Sequence, residues 1–329
     1  MKVKLIAKIF ATFLIVSVFT SIFNITEANN TETNKHFYVN SEEYLTNEIT
    51  TGQKSLKEQE KIMEYDAQTG KTKEVDMNKL RKKTMLMNKK SANFQINSLD
   101  SYQPVKTKHT LDLRAGTFTL QRVADVTRLP YRANCRVKYE VYGEEGVGSG
   151  SLVGPKLVLT AAHCVMNRND SDQFFAEWNA YPAYNNGPYN NLGCGWAKIY
   201  YSSLWLSTHE PEYDWCICVL YDDLGEKVGY HGLTSYGNNS EMERLLIRGY
   251  GYPIDPGEGK YQYLTFGTLT DIQDGYFITN ATVRSGMSGG PMCRTTDEYI
   301  IGIIKAANST STQAVRISQN IIDIIRENR

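Results

Sequence analysis

Three short segments of the sequence carry side chains that together could hydrolyse a peptide bond. They are Leu-Thr-Ala-Ala-His-Cys at 159–164, Glu-Tyr-Asp-Trp at 212–215 and Gly-Met-Ser-Gly-Gly-Pro at 286–291. A serine hydroxyl is a weak nucleophile at neutral pH, but a neutral imidazole can take its proton and later donate it to the leaving amine. A buried carboxylate orients that imidazole and stabilises its charged form. We therefore predict a catalytic triad of Ser288, His163 and Asp214.

The glycines around the predicted nucleophile suit the second need of acyl transfer, which is a pair of backbone N–H groups facing the developing oxyanion. Glycine before and after a serine lets the backbone turn tightly and lets a substrate approach without a Cβ in the way. We assign the oxyanion donors to the N–H groups of Gly286 and Ser288. Each segment alone has a purely structural interpretation. Their order and their gaps of 51 and 74 residues favour one shared site.

The elements that must position these residues are short strands. From about Leu113 onward, β-rich runs alternate with Gly, Pro and Asn clusters, a pattern typical of sandwiches and barrels. Residues 148–153, a Gly-Pro-Lys turn and residues 157–160 predict a hairpin that ends just before His163. Further strands are predicted at 215–220, 244–248, 276–280 and 299–304. Isoleucines at 317, 321, 324 and 325 predict one terminal amphipathic helix, with Ser318 as its N-cap.

The N-terminus has the three-part pattern of a secretory signal. Lys2, Lys4 and Lys8 precede an apolar run from Ile9 to Phe23, and small residues up to Ala28 follow. A membrane anchor is the alternative, but a run of about 15 residues is short of the ~20 that span a bilayer. We predict a signal peptide at 1–28, a secreted protein, and no membrane contact after cleavage.

Residues 29–112 differ in composition from the rest, and we interpret them as a propeptide ahead of a peptidase domain at 113–329. They hold no Cys or Trp and are rich in Asn, Thr, Lys and Glu, so they could bury little apolar surface alone. An attached disordered spacer is the alternative. The whole chain has 36 basic and 36 acidic residues, of which 19 and 23 lie from Leu113 onward. Residues 1–112, the front of the chain, therefore hold 17 basic and 13 acidic residues. This asymmetry is in the direction that would help the front dock on the back.

Overall composition indicates which partners to expect. The net charge of zero suggests no nucleic acid partner. With the predicted peptidase chemistry we expect protein or peptide substrates and the chain's own propeptide as partners, and we expect a monomer. An even count of six cysteines in an exported protein fits disulfides. Only Cys216 and Cys218 are close in sequence, with no His pair nearby. The sequence therefore predicts no metal site and no cofactor.

The three segments resemble the chymotrypsin-like peptidases, whose chain order is also His, Asp, Ser. Within that clan the chain is most similar to the bacterial glutamyl endopeptidases of the V8 type. Supporting stretches lie at 129–133, 153–156, 228–230 and 251–253. The resemblance covers roughly 113–329 and implies two six-stranded antiparallel β-barrels with the triad in the cleft between them. It also implies a propeptide that is removed after export, with the mature N-terminus near Leu113 to Ala115.

Several positions depart from the pattern of that family. Met287 stands where trypsin-type zymogens have an Asp, so that activation switch is absent. The family has a Thr and a His in its acid-binding pocket, where this sequence has Val283 and Ile304. Arg284 and Lys305 are nearby candidates for positive charge, although neighbours on a strand point to opposite faces. Glutamyl preference and an apolar or mixed pocket both stay open.

The cysteine pattern departs as well. In the chymotrypsin relatives the Cys after the catalytic His bridges to an upstream strand residue, and the matching position here is Gly148. Cys164 must therefore pair elsewhere or stay free, and we predict a Cys164–Cys194 disulfide.

The sequence also bears on two other functions, a binding protein and an esterase. A binding protein with vestigial chemistry would be expected to lose a triad member or the flanking glycines, and this chain has all of them. Residues 286–290 also match the Gly-x-Ser-x-Gly pattern of the nucleophile elbow in esterases. The esterase fold with this elbow, however, has its triad in the chain order Ser, acid, His. The sequence therefore favours a secreted serine endopeptidase made as a zymogen.

Overall fold

The structure is a computed structural model that describes residues 59–90, 119–141, 143–167 and 174–329. All of these belong to one compact unit. The predicted signal peptide and the predicted mature N-terminus near residues 113–115 lie outside the described residues.

The described elements are mostly strands. In chain order they are β1 (Ile62–Asp66), β2 (Lys71–Glu74), α1 (Met77–Lys90), β3 (Gln121–Arg122), β4 (Asn134–Val141), β5 (Glu144–Gly154), β6 (Leu157–Thr160), β7 (Ala176–Pro182), β8 (Trp196–Ser202), α2 (Ser203–Thr208), β9 (Cys216–Leu220), α3 (Leu224–Val228), β10 (Leu246–Gly251), β11 (Tyr263–Ile272), β12 (Tyr276–Thr279), β13 (Pro291–Arg294), β14 (Ile300–Ala307), β15 (Thr312–Arg316) and α4 (Gln319–Glu327). Short 3₁₀ turns at Ala162–Cys164 and Pro211–Tyr213 carry or precede two of the predicted site residues.

The second half of the chain forms a closed six-stranded antiparallel barrel. Its strand order is β10-β13-β14-β15-β12-β11, and a direct pairing between β10 and β11 completes the ring. Strand β3 adds to the outside of β11. The interior is an apolar cluster that includes Phe277, Met287 and Met292.

The first half forms a sheet with the order β8-β9-β6-β5-β4-β7. An isolated bridge between Ala180 of β7 and Cys194, two residues before β8, links the two ends of this six-stranded run. The predicted β-barrel fold of the chymotrypsin type, with a C-terminal helix, is therefore confirmed.

Local sequence explains where most elements begin and end. The predicted hairpin at 148–160 forms as β5 and β6, whose register pairs Ser151 with Leu159. In α4 the Ser318 hydroxyl accepts a hydrogen bond from the N–H of Ile321, as expected of an N-cap. One predicted strand start is displaced: Arg244 has φ +65°, a left-handed conformation that a strand residue does not adopt, so β10 begins at Leu246.

Part of the predicted propeptide is folded against the first barrel. Strands β1 and β2 form a hairpin, and β1 pairs with the free side of β8. Ile62 of β1 is buried in the main core of the protein, and α1 packs beside α4. A segment with too few apolar residues to form its own core thus completes a core that the following domain supplies.

The predicted Cys164–Cys194 disulfide does not form. All six cysteines are free, buried thiols. The Cys164 Sγ lies 3.5 Å from the carbonyl oxygen of Ser288, whereas Cys194 lies on the bridge to Ala180 in β7. The prediction was wrong because spacing along the chain did not reveal that the buried side chain of Cys164 packs against the backbone of Ser288.

Candidate active site

His163 and Asp214 meet at the end of two neighbouring strands. His163 lies in the 3₁₀ turn that follows β6, Asp214 lies just before β9, and β6 pairs with β9. The Nδ1 of His163 is 2.7 Å from Oδ2 of Asp214, and the backbone N–H of His163 donates to Oδ1 at 3.0 Å. Because both carboxylate oxygens are engaged by one residue, the imidazole is fixed in orientation and its Nε2 is left for chemistry.

The two groups shift each other's pKa. Burial alone would lower the pKa of His163, but the Asp214 carboxylate raises it well above its usual value of 6.5. Burial alone would raise the pKa of Asp214, but the adjacent imidazole keeps it below its usual range. The Asp214 side chain is fully buried, while that of His163 is 28% exposed. The pair thus holds an ionised carboxylate beneath an imidazole that solvent or a substrate can reach.

Ser288 lies in the loop between β12 and β13, on the second barrel. Its hydroxyl donates to the carbonyl oxygen of Lys305 at 3.1 Å. Its own carbonyl is 3.5 Å from the Sγ of Cys164, the residue next to His163. The positive charge of Lys305 also lowers the pKa of Asp214. The fold therefore brings all three predicted triad residues to one place at the junction of the barrels.

The loop that carries Ser288 is held by its carbonyl groups. The Ser285 carbonyl accepts from the N–H of Ile254 at 2.8 Å, and the Met287 carbonyl accepts from the N–H of Gly290 at 3.0 Å. A planar trans peptide directs its N–H opposite to its C=O. These two bonds therefore set the directions of the N–H groups of Gly286 and Ser288, the predicted oxyanion donors.

Glycine is required at two points of this loop. Gly286 has φ +91°, and a Cβ there would lie 2.4 Å from the carbonyl oxygen of Tyr252. Gly289 has φ +83°, and a Cβ there would lie 2.2 Å from both the Ser149 carbonyl and the Thr160 hydroxyl. Any side chain at either position would displace the loop that presents Ser288.

Ser149 is a site residue that the sequence did not reveal. It is buried on β5, where its hydroxyl donates to the Gly286 carbonyl at 2.8 Å and accepts from the N–H of Tyr252 at 2.9 Å. Its backbone N–H donates to the Ser288 carbonyl at 2.7 Å. One first-barrel residue therefore anchors the loop of the second barrel. The small-residue run at 148–151 was its only trace in the sequence, and that run was interpreted only as a hairpin strand.

The four candidate pocket residues fall into two kinds. Val283 and Ile304 are buried, 4% and 1% exposed, within the apolar cluster of the second barrel. Arg284 is exposed, and its guanidinium donates to the neighbouring Val283 carbonyl at 3.0 Å. The Lys305 ammonium is 3.4 Å from Oε1 of Gln313 and thus lies toward β15. Val283 and Ile304 thus offer no polar side-chain atom, while the charge of Lys305 is near enough to Asp214 to lower the pKa of that carboxyl.

Within the described parts of the chain, no cluster of three or more His, Cys, Asp or Glu side chains is arranged to hold a metal ion. Over the same residues, no helix has the length and apolar character needed to cross a membrane.

Comparison with known proteins agrees with this geometry. Residues 148–303, which include all three predicted triad positions, match the family described as trypsin-like peptidase domain. This region is therefore similar to a trypsin-like peptidase domain, and the predicted resemblance to chymotrypsin-like serine peptidases is confirmed.

Among curated proteins, the chain is 28% identical over 190 residues to the glutamyl endopeptidase of Bacillus licheniformis, across 57% of each chain. It is 26% identical over 223 residues to a Bacillus subtilis protein named extracellular metalloprotease, across 64% of this chain and 68% of that one. The match thus spans little more than half the length of the first of these relatives.

Solved structures show the same fold. A Glu endopeptidase solved in complex with MPD superposes with a TM-score of 0.55 at 24% identity, over 63% of this chain and 94% of that one. The protease Anisep from Arthrobacter nicotinovorans superposes with a TM-score of 0.54 at 20% identity, over 64% and 99%. At these identities the likeness establishes the fold.

Proposed function

We propose that this protein is a secreted serine endopeptidase in which Ser288 is the nucleophile, His163 the general base and Asp214 the residue that orients the base. The observation that carries the proposal is the double contact of Asp214 with His163, beside a serine in an anchored glycine loop. A buried carboxylate that engages the imidazole of a histidine with one oxygen and its backbone N–H with the other is costly to build. A binding protein on the same fold would gain nothing from it.

The proposed reaction starts with rotation of the Ser288 side chain from the Lys305 carbonyl to the Nε2 of His163. Oγ then attacks the carbonyl carbon of the peptide bond, while its proton passes to Nε2. The N–H groups of Gly286 and Ser288 receive the oxyanion of the tetrahedral intermediate. His163 then protonates the leaving amine, which leaves an acyl-enzyme on Ser288 that water hydrolyses by the reverse sequence of proton transfers.

Export and activation are part of the same proposal. A signal-like N-terminus supports secretion, and one relative carries the word extracellular in its name. The family resemblance suggests that a new N-terminus, freed near Leu113 to Ala115, is needed for activity. We therefore expect the uncut chain to be nearly inactive. Equal activity of intact and processed protein at one concentration would contradict this step.

The proposal also concerns which substrate side chain the enzyme prefers at the cleaved bond. The relatives named for glutamate suggest an acidic side chain, but Val283 and Ile304 place two buried apolar groups where donors to a carboxylate would be needed. A desolvated carboxylate without partners costs several kcal/mol. We therefore propose that the site prefers an uncharged, apolar side chain. Cleavage of a peptide library by the mature enzyme tests this, and a dominant glutamate preference would refute it.

The triad is tested with Ser288→Ala and with Ser285→Ala as the matched control. Ser285 is exposed in the same loop, and its described role is played by its backbone carbonyl. We expect Ser288→Ala to lower turnover of casein by about 10⁴-fold or more and to abolish fluorophosphonate labelling, with an unchanged melting temperature. Ser285→Ala should keep both. Wild-type turnover in Ser288→Ala would refute the assignment, and an unlabelled wild-type protein would favour a binding function.

A further inference from the structure

We infer that residues 59–90 form a module that stays bound to the peptidase domain after the chain is cut, seated on β8 and α4 rather than across the active site. The inference rests on the proposed zymogen processing, because a cut between 91 and 118 is what would make the module a separate chain. It assigns a docking surface on the peptidase domain and names its occupant, the protein's own prosegment.

Strand pairing is the first support. β1 runs antiparallel to β8 with a continuous register, from Ile62 opposite Ser202 to Asp66 opposite Lys198. The other side of β8 is occupied by β9. Without β1, the strand would present a row of unpaired backbone groups along one edge of the barrel. The prosegment thus binds by strand addition, in which main-chain hydrogen bonds give affinity and alternate side chains give specificity.

Apolar contacts between the module and the peptidase domain add to the strand pairing. Ile62 is 2% exposed and belongs to the same core cluster as Ile199 of β8. Tyr65 packs on two aromatic rings of the peptidase domain, with centroid distances of 4.3 Å to Phe174 and 5.9 Å to Trp196. Loss of the module would uncover these rings. A surface of this kind favours an occupied state.

Charged contacts extend the interface along both elements of the module. Buried Glu64 accepts from the Tyr200 hydroxyl at 3.0 Å and lies 3.5 Å from the Lys198 ammonium. On α1, the Arg81 guanidinium donates to Asp323 at 2.9 Å and to Asn320 at 2.7 Å. Lys83 pairs with Glu327 on the same face of α4. On α1, basic groups of the module thus meet acidic groups of α4, whereas on β1 the acidic Glu64 meets a basic group of β8.

The position of the module has a consequence for regulation. Its described contacts go to β8, to α4 and to the rings beside β8, and its Glu60 also lies near enough to Glu212 for their charges to interact. The His163 side chain keeps 28% of its surface exposed with the module in place. A bound module therefore leaves the site open to substrate. It should stabilise the mature domain without competing with peptides, and the low activity proposed for the uncut chain would then come from the N-terminus that is not yet free.

Binding after cleavage is tested on the full chain carrying Ser288→Ala and a recognition site for a sequence-specific protease inserted between residues 91 and 118. After complete cutting, we expect the fragment that contains 59–90 to co-elute with the peptidase domain in gel filtration at micromolar concentration. Native mass spectrometry should show a one-to-one complex. Elution of the two fragments as separate species would overturn the inference.

Charge reversals test where the module binds. Arg81→Asp and Asp323→Arg should each raise the dissociation constant of the two fragments by about tenfold or more, and the double variant should restore much of the affinity. Lys82→Asp is the matched control, because Lys82 is the exposed neighbour of Arg81 on α1 and should leave affinity within about twofold of the parent. If Lys82→Asp weakens binding as much as Arg81→Asp, the effect is one of net charge and the proposed surface is wrong.

These results do not depend on catalysis. If the protein is no peptidase, the inserted site still yields the two fragments and the binding measurement stands. If it is a peptidase and the inference fails, Ser288→Ala still abolishes turnover while the fragments separate. In active mature enzyme, added prosegment should raise the melting temperature and leave KM unchanged, whereas a rise in KM would indicate a module that covers the site.

Discussion

Gly148→Cys should create a disulfide with Cys164 and stabilise the peptidase domain. A Cβ built on Gly148 lies 2.8 Å from the Cys164 Sγ and 3.3 Å from its Cβ. Bridged cysteines have Cβ atoms about 3.5–4.5 Å apart, so the strands must separate by only a few tenths of an ångström. Gly148 pairs with Val137 in β4 and lies in the regular part of β5, so a side chain there brings no backbone strain.

The magnitude follows from the loop that the bond closes, which runs from 148 to 164. The chain-entropy relation gives about 3 kcal/mol for a loop of this length. For a domain of this size, each kcal/mol raises the melting temperature by about 2–4 °C, so we expect a rise of about 6–12 °C.

The assay is thermal unfolding of the processed protein with and without reductant. The rise should vanish on reduction, and the count of titratable thiols should fall by one from the six of the parent, because the bond uses both the added thiol and Cys164. Gly148→Ser is the control, because it fills the same space without forming the bond. If Gly148→Cys leaves both new and old thiols free, or if its melting temperature equals that of Gly148→Ser, then the inferred approach of Cys164 to β5 is refuted.

Three further predictions concern the site and its support. Because only neutral His163 can accept the Ser288 proton and Asp214 raises the pKa of His163, kcat/KM should rise with pH with a midpoint above 6.5. Asp214→Asn should lower that midpoint and reduce kcat by about 10⁴-fold. An unmoved midpoint would contradict the pairing of His163 with Asp214. Burial lowers the pKa of His231, whose Nε2 lies 2.9 Å from Oδ1 of Asn134, to about 4. As the pH falls, this imidazole therefore takes up its proton in the unfolded chain before it does so in the folded protein. The free energy of unfolding should fall by about 3 kcal/mol from pH 6.5 to 4 on this account. Denaturant titrations at both pH values check this, and His231→Gln should remove that part of the loss. Val283→Thr with Ile304→His should raise the kcat/KM ratio of glutamyl over leucyl substrates by about tenfold or more while lowering stability, and an unchanged ratio would show that these positions do not read the substrate.

The elements near the candidate site were largely predictable, because their signals are local. The alternation of β-rich runs and turn residues located the β5–β6 hairpin that leads to His163. Ser318 and the isoleucines after it located α4. Arg244 shows the limit of such signals: it is suited to a strand by sequence, yet its backbone is left-handed in the structure, and β10 begins at Leu246.

The contacts between distant residues were harder to predict. Ser149 anchors a loop that lies more than a hundred positions later, and no feature of its neighbours in the sequence marks it for that role. The Cys164–Cys194 pairing failed for the same reason, since chain spacing carries no information on which face of a barrel a thiol occupies.

The sequence alone determined the types of chemical group available, the order His163, Asp214, Ser288 and the glycine loop, because these depend on residue identity and short-range backbone preference. Tertiary structure alone decided that both oxygens of Asp214 meet His163 and that Cys164 faces Ser288. It also decided that residues 59–90, too polar to fold alone, pair with the outer side of β8 and add Ile62 to the main core. Each of these is a contact between parts of the chain far apart in sequence, and such contacts exist only once β-strand pairing has closed the barrels and brought their edges together.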